Sequence, residues 1–128
     1  MKNNMHFNKY HKTIKSALFN KKIEELEKYI KFKDKLEVKY FISGNPFLLD
    51  IIKESSGIIN GIFKDRRLEI SVENDPESIT DFKFLYLKIY TEETPAKAIN
   101  LLKKFDYEWW LGIKPNTKNK LVIGVEYE

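Results

Sequence analysis

The stretch DFKFLYLKIYT, from Asp81 to Thr91, is the strongest strand signal in the chain. It contains neither Gly nor Pro and is rich in the aromatic residues that favour strands. Three aliphatic side chains recur at every second position, namely Leu85, Leu87 and Ile89. Because successive residues of a strand point to opposite faces of a sheet, this set is predicted to join the core. The opposite face would carry Phe82, Phe84, Tyr86, Lys88 and Tyr90.

Three further segments alternate in the same way and are predicted to be strands. They are residues 35–42, 66–73 and 121–127, with sequences KLEVKYFI, RRLEISVE and LVIGVEY. In each, apolar residues occupy every second position, as in a strand with one buried face. Four strands are therefore expected, with residues 81–91 as the third.

Helices are predicted between these strands. Asn45-Pro46 and Thr94-Pro95 each place a capping residue before a proline, which is favourable at the first position of a helix. Apolar stripes at helical spacing follow, to about Phe63 in the first case and to Gly112 in the second. Asn60-Gly61 between isoleucines is also a hairpin signal, but the stripe continues across it. Residues 5–32 show helical spacing as two helices or one bent helix.

The order of these elements predicts the fold. From residue 35 onward it reads βαββαβ, which is typical of an α+β, ferredoxin-like sandwich with an antiparallel sheet and helices on one face. The first and third strands would lie in the centre of that sheet. The chain is therefore divided into a basic helical extension, residues 1–33, and a ferredoxin-like domain, residues 34–128.

Composition excludes several classes of site. The chain has 128 residues and no cysteine, so a disulfide framework, a thiolate zinc site and a cysteine nucleophile are all excluded. No apolar run resembles a signal-peptide core or a membrane span. A cytoplasmic protein with no membrane partner is expected.

Charge is distributed unevenly along the chain. Residues 1–40 contain 11 Lys and 5 acidic residues, whereas residues 41–128 contain 12 basic and 14 acidic residues. Such asymmetry is typical of a basic segment that meets an anionic partner, although solvated helix faces are also rich in lysine. The candidate contacts to RNA or DNA are Lys9, Lys12, Lys15, Lys21 and Lys22.

Three resemblances to known families accompany these patterns. The alternating aromatics of residues 82–90 resemble the third strand of RNA-recognition domains, which stack bases on such rings. The segment GNPFLLDII, residues 44–52, resembles the strand-to-helix segment of ACT-type domains, with Phe47 where that family has a glycine. Residues 62–127 are similar to uncharacterised small prokaryotic proteins, with Asp75-Pro76-Glu77 and FDYEWW at 105–110 carrying the likeness. That resemblance implies a fold and a prokaryotic origin, and no site residues.

An open, aromatic sheet face needs a cover. The sequence is compatible with three covers: the N-terminal helices, a second copy of the protein, or single-stranded nucleic acid. Trp110 adds an aromatic side chain at a helix flank, because neighbours on a helix diverge by about 100° and Trp109 continues the buried stripe. The candidate partner-binding residues are Phe41, Phe84, Tyr86, Lys88, Tyr90 and Trp110.

No catalytic motif, cofactor fingerprint or metal cluster is visible in the sequence. The two histidines, His6 and His11, are five residues apart and do not share a helix face in the i, i+4 manner of a zinc site. We therefore expect no cofactor and a small non-enzymatic binding or regulatory protein that acts through a protein partner or as a homodimer. An antitoxin-like neutraliser or a dimeric adaptor are examples. The alternative is an RNA- or DNA-binding protein that uses the lysine-rich N-terminal helices and the aromatic sheet face.

Overall fold

A computed structural model of the protein describes residues 17–77 and 82–127. This part of the chain is α+β, with five helices and a four-stranded mixed sheet. In chain order the elements are α1 (17–27), β1 (Ile30–Phe32), α2 (Lys35–Gly44), α3 (Leu48–Ile62), β2 (Arg66–Asn74), β3 (Lys83–Thr91), α4 (Pro95–Glu108), α5 (Pro115–Lys118) and β4 (Leu121–Tyr127). A turn of 3-10 helix, Trp110–Gly112, lies between α4 and α5.

The strands lie in the order β1-β2-β3-β4, so β2 and β3 are central. The hairpin β2–β3 is antiparallel, and both outer pairs, β1 with β2 and β3 with β4, are parallel. The α+β class is confirmed, but the ferredoxin-like order is not, because that order requires an antiparallel sheet with the first strand in its centre. The difference begins with the first strand.

Residues 35–42 were predicted to be a strand, and this prediction is wrong: they belong to helix α2. The apolar residues alternate, but only every second one is buried. Val38 and Ile42 are 0% exposed, whereas Leu36 is 80% and Tyr40 is 82% exposed. Burial therefore follows a spacing of four residues, which places Val38 and Ile42 on one helix face.

Strand β1 was missed, because residues 28–32 were included in the predicted helical segment. Ile30–Phe32 pairs with β2, with Ile30 opposite Leu68 and Phe32 opposite Ile70. The Lys33 backbone N–H donates to the Ile70 carbonyl at 2.9 Å and extends this pairing by one residue. Residues 17–27 are helical as predicted, and residues 5–16 lie outside the described part of the chain.

The helix predicted from Pro46 is confirmed as α3, which begins two residues later at Leu48 and continues through Asn60-Gly61. The predicted cap is wrong. The Asn45 side-chain amide donates to the Phe41 carbonyl at 3.1 Å, so it closes the end of α2, and no side chain caps α3.

Helix α4 begins as predicted. The Thr94 hydroxyl accepts a hydrogen bond from the Lys97 backbone N–H at 3.4 Å, and Pro95 occupies the first helical position. The helix ends at Glu108, four residues before the predicted end, and the chain tightens into the 3-10 turn. The turn predicted at residues 114–117 is largely the short helix α5.

The core lies between the helices and one face of the sheet. As predicted, Leu85, Leu87 and Ile89 of β3 are fully buried there. Ile23 and Leu26 of α1 belong to the same core, so residues on both sides of the predicted division at residue 33 share it. The described part of α1 therefore packs on the core side and leaves the other sheet face uncovered.

Candidate interaction surface on the open face of the sheet

The second face of the sheet is formed by the alternate residues of all four strands, and we call it the open face. Strand register brings its members side by side: Arg67 opposite Tyr90, Glu69 opposite Lys88, and Ser71 opposite Tyr86. Its strand residues are Lys31 of β1; Arg67, Glu69, Ser71 and Glu73 of β2; Phe84, Tyr86, Lys88 and Tyr90 of β3; and Val122, Gly124 and Glu126 of β4. Phe84, Tyr86 and Tyr90 are half-buried.

A polar network crosses the middle of the open face. The Ser71 hydroxyl donates to Glu73 Oε1 at 2.8 Å, and Lys88 Nζ lies 3.7 Å from the same oxygen. Lys88 Nζ also lies 5.4 Å from the centre of the Tyr86 ring, and the Tyr86 hydroxyl donates to Glu126 Oε1 at 3.3 Å. Three strands are thereby joined through β3, which holds these side chains in defined positions.

The phenol end of Tyr86 lies against Gly124 of the neighbouring strand. A Cβ built at Gly124 would be 2.6 Å from the phenol oxygen and 3.3 Å from two ring carbons. An aromatic ring over a strand glycine covers backbone that would otherwise be exposed. Burial, and secondarily the charge of Glu126, raises the pKa of Tyr86. The phenol is therefore a neutral hydrogen-bond donor near pH 7.

Gly124→Val is expected to displace the Tyr86 ring and to lower the free energy of unfolding by about 1–3 kcal/mol, as overpacking does. The displaced phenol would be more hydrated and farther from Glu126, so the pKa of Tyr86 should fall toward its ordinary value. Urea denaturation measures the first effect, and NMR titration of labelled tyrosine measures the second.

Tyr86→Ala provides the matched background for this substitution. With the ring removed, Gly124→Val meets no obstacle and gains a residue that favours strands, so it should be neutral or stabilising. A double-mutant cycle gives the coupling between the two positions. Equal costs in both backgrounds would show that the ring does not rest on Gly124.

The charges of the open face are balanced. Its strand residues include three bases, Lys31, Arg67 and Lys88, and three acids, Glu69, Glu73 and Glu126. The Arg67 guanidinium lies 4.6 Å above the centre of the Tyr90 ring, in cation–π geometry. The face thus offers rings, donors and acceptors of both signs, which suits recognition of a surface.

Potential metal ligands do not cluster within residues 17–77 and 82–127. In those ranges no group of three or more His, Cys, Asp or Glu side chains is placed to hold a metal ion. His6 and His11 lie outside the described residues.

Of the predicted partner-binding residues, four lie together on the open face: Phe84, Tyr86, Lys88 and Tyr90. Phe41 does not, because it is on helix α2 and packs against the core. Trp110 is in the 3-10 turn after α4, also against the core, with Lys118 Nζ 6.0 Å from its ring centre. Its neighbour Trp109 donates from Nε1 to Glu54 Oε1 at 2.9 Å and so ties the end of α4 to α3.

Of the predicted nucleic-acid residues, Lys21 and Lys22 are exposed on α1. Lys9, Lys12 and Lys15 lie outside the described residues.

Several members of the open face were not predicted as site residues, including Glu73, Gly124 and Glu126. Alternation in residues 121–127 does place Gly124 and Glu126 on one face. Their position beside Tyr86 depends on β4 pairing with β3, whereas in the ferredoxin-like order the fourth strand lies beside the first.

Comparisons with known proteins identify no relative of this chain. No family model matches the chain, and neither a curated protein nor a solved structure is significantly similar to it. The resemblances noted in the sequence stay predictions. Among the described residues, no helix has the length and apolar character needed to cross a membrane.

Proposed function

We propose that this chain is a small non-enzymatic binding protein that contacts a protein partner through the open face of its sheet. The observation that carries the proposal is the combination of three half-buried rings with a balanced set of charges, on a face that no described helix covers. In a prokaryotic cytoplasm the partner is either a second copy, as in a dimeric adaptor, or a different protein, as in an antitoxin-like neutraliser.

Protein surfaces fit this face better than nucleic acid does. A phosphate backbone is bound chiefly by a surplus of Lys and Arg, whereas the open face has as many acids as bases. Tyrosine and arginine are enriched among the residues that dominate protein–protein binding, and both are present here, with Arg67 over Tyr90. The polar network around Lys88 limits the side-chain entropy that binding would otherwise cost.

Site-specific photo-cross-linking tests this proposal. With a photoreactive phenylalanine in place of Tyr90, irradiation of the full-length protein in cells is expected to give one discrete protein adduct, either a homodimer or a complex with one other chain. The same amino acid in place of Tyr107, which is 84% exposed on α4, is the matched control. Mass spectrometry of the adduct identifies the partner and the contacted peptide.

The decisive comparison is between the two positions. Adducts of the same proteins in the same yield from positions 90 and 107 would reflect exposure alone and would refute the proposal. Adducts with RNA at position 90 would refute it as well, since they would assign the face to nucleic acid.

An RNA- or DNA-binding role is the second candidate, and one observation favours it. Lys21 and Lys22 are adjacent and exposed on α1. Filter binding at several salt concentrations tests this role, because affinity through phosphate contacts falls steeply with salt. Absence of binding at low salt ends it.

A further inference from the structure

A cleft separate from the middle of the open face lies between α3, the start of β2 and the turn after α1. Its volume is about 610 Å³, within the range of about 300–1,000 Å³ that is typical of small-molecule sites. Helix α3 supplies one wall through Lys53, Ser56, Gly57 and Asn60, and the other walls are formed by Tyr29, Arg66, Arg67 and Leu68. Duplex nucleic acid would not fit inside it.

The charge of this cleft is entirely positive. Lys53, Arg66 and Arg67 line it, although the Arg67 guanidinium lies over Tyr90 on the open face, and none of its described lining residues is Asp or Glu. Cations that share a concave surface repel one another, and low-dielectric walls focus their field toward the cavity. The cleft is thus electrostatically suited to an anion.

Arg66, which lines this cleft, carries an unsatisfied buried donor. Its Nε is buried and has no hydrogen-bond acceptor among the described residues. A buried charged donor without an acceptor costs free energy, and an anion in the cleft would offset the positive charge. Guanidinium groups match the geometry of phosphate oxygens through paired N–H donors.

The α3 wall is shaped to leave room. Lys53, Ser56, Gly57 and Asn60 lie on one helix face, because they are spaced by three, four and seven residues from the first. A Cβ built at Gly57 would meet nothing within 4 Å, so the glycine borders open space. Ser56 donates its hydroxyl to the Ile52 carbonyl at 3.0 Å and keeps its oxygen lone pairs for a ligand donor.

The neutral residues of the cleft indicate what else the ligand carries. Tyr29 is 47% exposed at its rim, where a planar ring can stack on it, and the Asn60 amide offers both donors and an acceptor. Leu68 forms an apolar floor. A phosphate alone would use the cations and leave these groups without a role.

We propose that the cleft between α3 and β2 binds a small phosphorylated ligand of the nucleoside monophosphate class. The phosphate lies between Lys53 and Arg66, and the base lies toward Tyr29 and Asn60. This site is independent of the partner-binding role proposed for the open face.

NMR titration of the full-length protein tests the site directly. The probes are adenosine monophosphate, ribose 5-phosphate, inorganic phosphate and adenosine, each added to ¹⁵N-labelled protein. Adenosine monophosphate is expected to shift the backbone amides of Ser56, Gly57, Asn60 and Arg66 and to bind more tightly than ribose 5-phosphate or adenosine. Equal affinity for adenosine monophosphate and ribose 5-phosphate would overturn the assignment of the base, and shifts spread over lysines of the whole surface would overturn the site.

Variants separate charge from shape. Lys53→Met and Arg66→Met each remove one charged contact and are expected to weaken binding of adenosine monophosphate by about 10- to 100-fold. Gly57→Leu keeps every charge but fills the cleft, and it should weaken binding comparably. Lys103→Met, an exposed lysine of α4 that does not line the cleft, is the control and should change affinity less than about twofold.

Two results would overturn the proposal outright. One is that none of the phosphorylated probes shifts the cleft amides while circular dichroism shows the protein folded. The other is that a single-stranded oligonucleotide binds with a steep salt dependence and Gly57→Leu leaves its affinity unchanged, which would assign these cations to a nucleic-acid surface. Neither result bears on cross-linking at position 90, so the two proposals fail independently.

Discussion

Phe105→Ala is expected to lower the free energy of unfolding by about 3–5 kcal/mol, the range found when a large buried aromatic is truncated. Phe105 is 0% exposed on the core side of α4, and its ring centre lies 5.6 Å from that of Trp109. The substitution removes apolar contact with the core and leaves a cavity beneath the helix. Urea denaturation, with the m-value checked against the parent protein, measures the change.

Tyr107→Ala is the control on the same helix. Tyr107 is 84% exposed, two residues after Phe105, and surface truncations of this kind usually change stability by less than about 0.5 kcal/mol. If Phe105→Ala also cost less than about 1 kcal/mol, α4 would not pack as described. Both free energies require that the parent protein unfolds in a single cooperative transition, so coincident transitions by fluorescence and circular dichroism are established first.

The burial of Phe105 could be predicted because its signals are local. Thr94 and Pro95 define the start of α4, and Ala98, Leu102 and Phe105 continue at helical spacing from there. The same holds for α3, where the apolar stripe outweighs the hairpin signal at Asn60-Gly61. Helix caps and apolar periodicity involve only neighbouring residues, so they can be recognised without knowledge of the rest of the chain.

The first strand could not be predicted, because its cause is tertiary. Ile30–Phe32 is only three residues long and exists through its pairing with β2. Residues 35–42 alternate apolar and polar side chains, yet α2 buries only Val38 and Ile42 and leaves Leu36 and Tyr40 exposed. In a segment that exposes two large apolar side chains, the positions of the apolar residues alone do not distinguish a helix from a strand.

Only part of the open face could be predicted, because its cross-strand neighbours are also set by tertiary pairing. Alternation in β3 correctly separates Leu85, Leu87 and Ile89 from Phe84, Tyr86, Lys88 and Tyr90. The neighbours across strands depend on register, and the hydrogen bond from Tyr86 to Glu126 joins residues 40 apart in the chain. The cationic cleft depends on α3 and β2 meeting, which no local pattern reports.

Leu87→Ala is expected to lower the free energy of unfolding by about 2–5 kcal/mol, as for other fully buried leucines. Leu87 is 0% exposed and lies in a central strand, between Ile70 of β2 and Ile123 of β4. Both neighbouring strands hold it in place, so collapse around the missing side chain is limited and the cavity persists. Urea denaturation measures the cost, and circular dichroism confirms that the variant is folded before the transition.

Lys88→Ala is the matched control, one residue along the same strand. Its ammonium group makes a 3.7 Å ion pair with Glu73 on the open face, where the Lys88 side chain is 15% exposed. Fully exposed ion pairs contribute about 0–1 kcal/mol, and we expect this partly buried pair to cost more than that but less than the loss of Leu87. Glu73 keeps the hydrogen bond from Ser71 when the lysine is removed. A larger cost for Lys88→Ala than for Leu87→Ala would show that Lys88, and not Leu87, faces the core. If Lys88→Ala costs less than Leu87→Ala, the Lys88→Ala variant is folded and differs from the parent only on the open face. Reduced cross-linking from position 90 in that variant would then show that partner binding depends on this face.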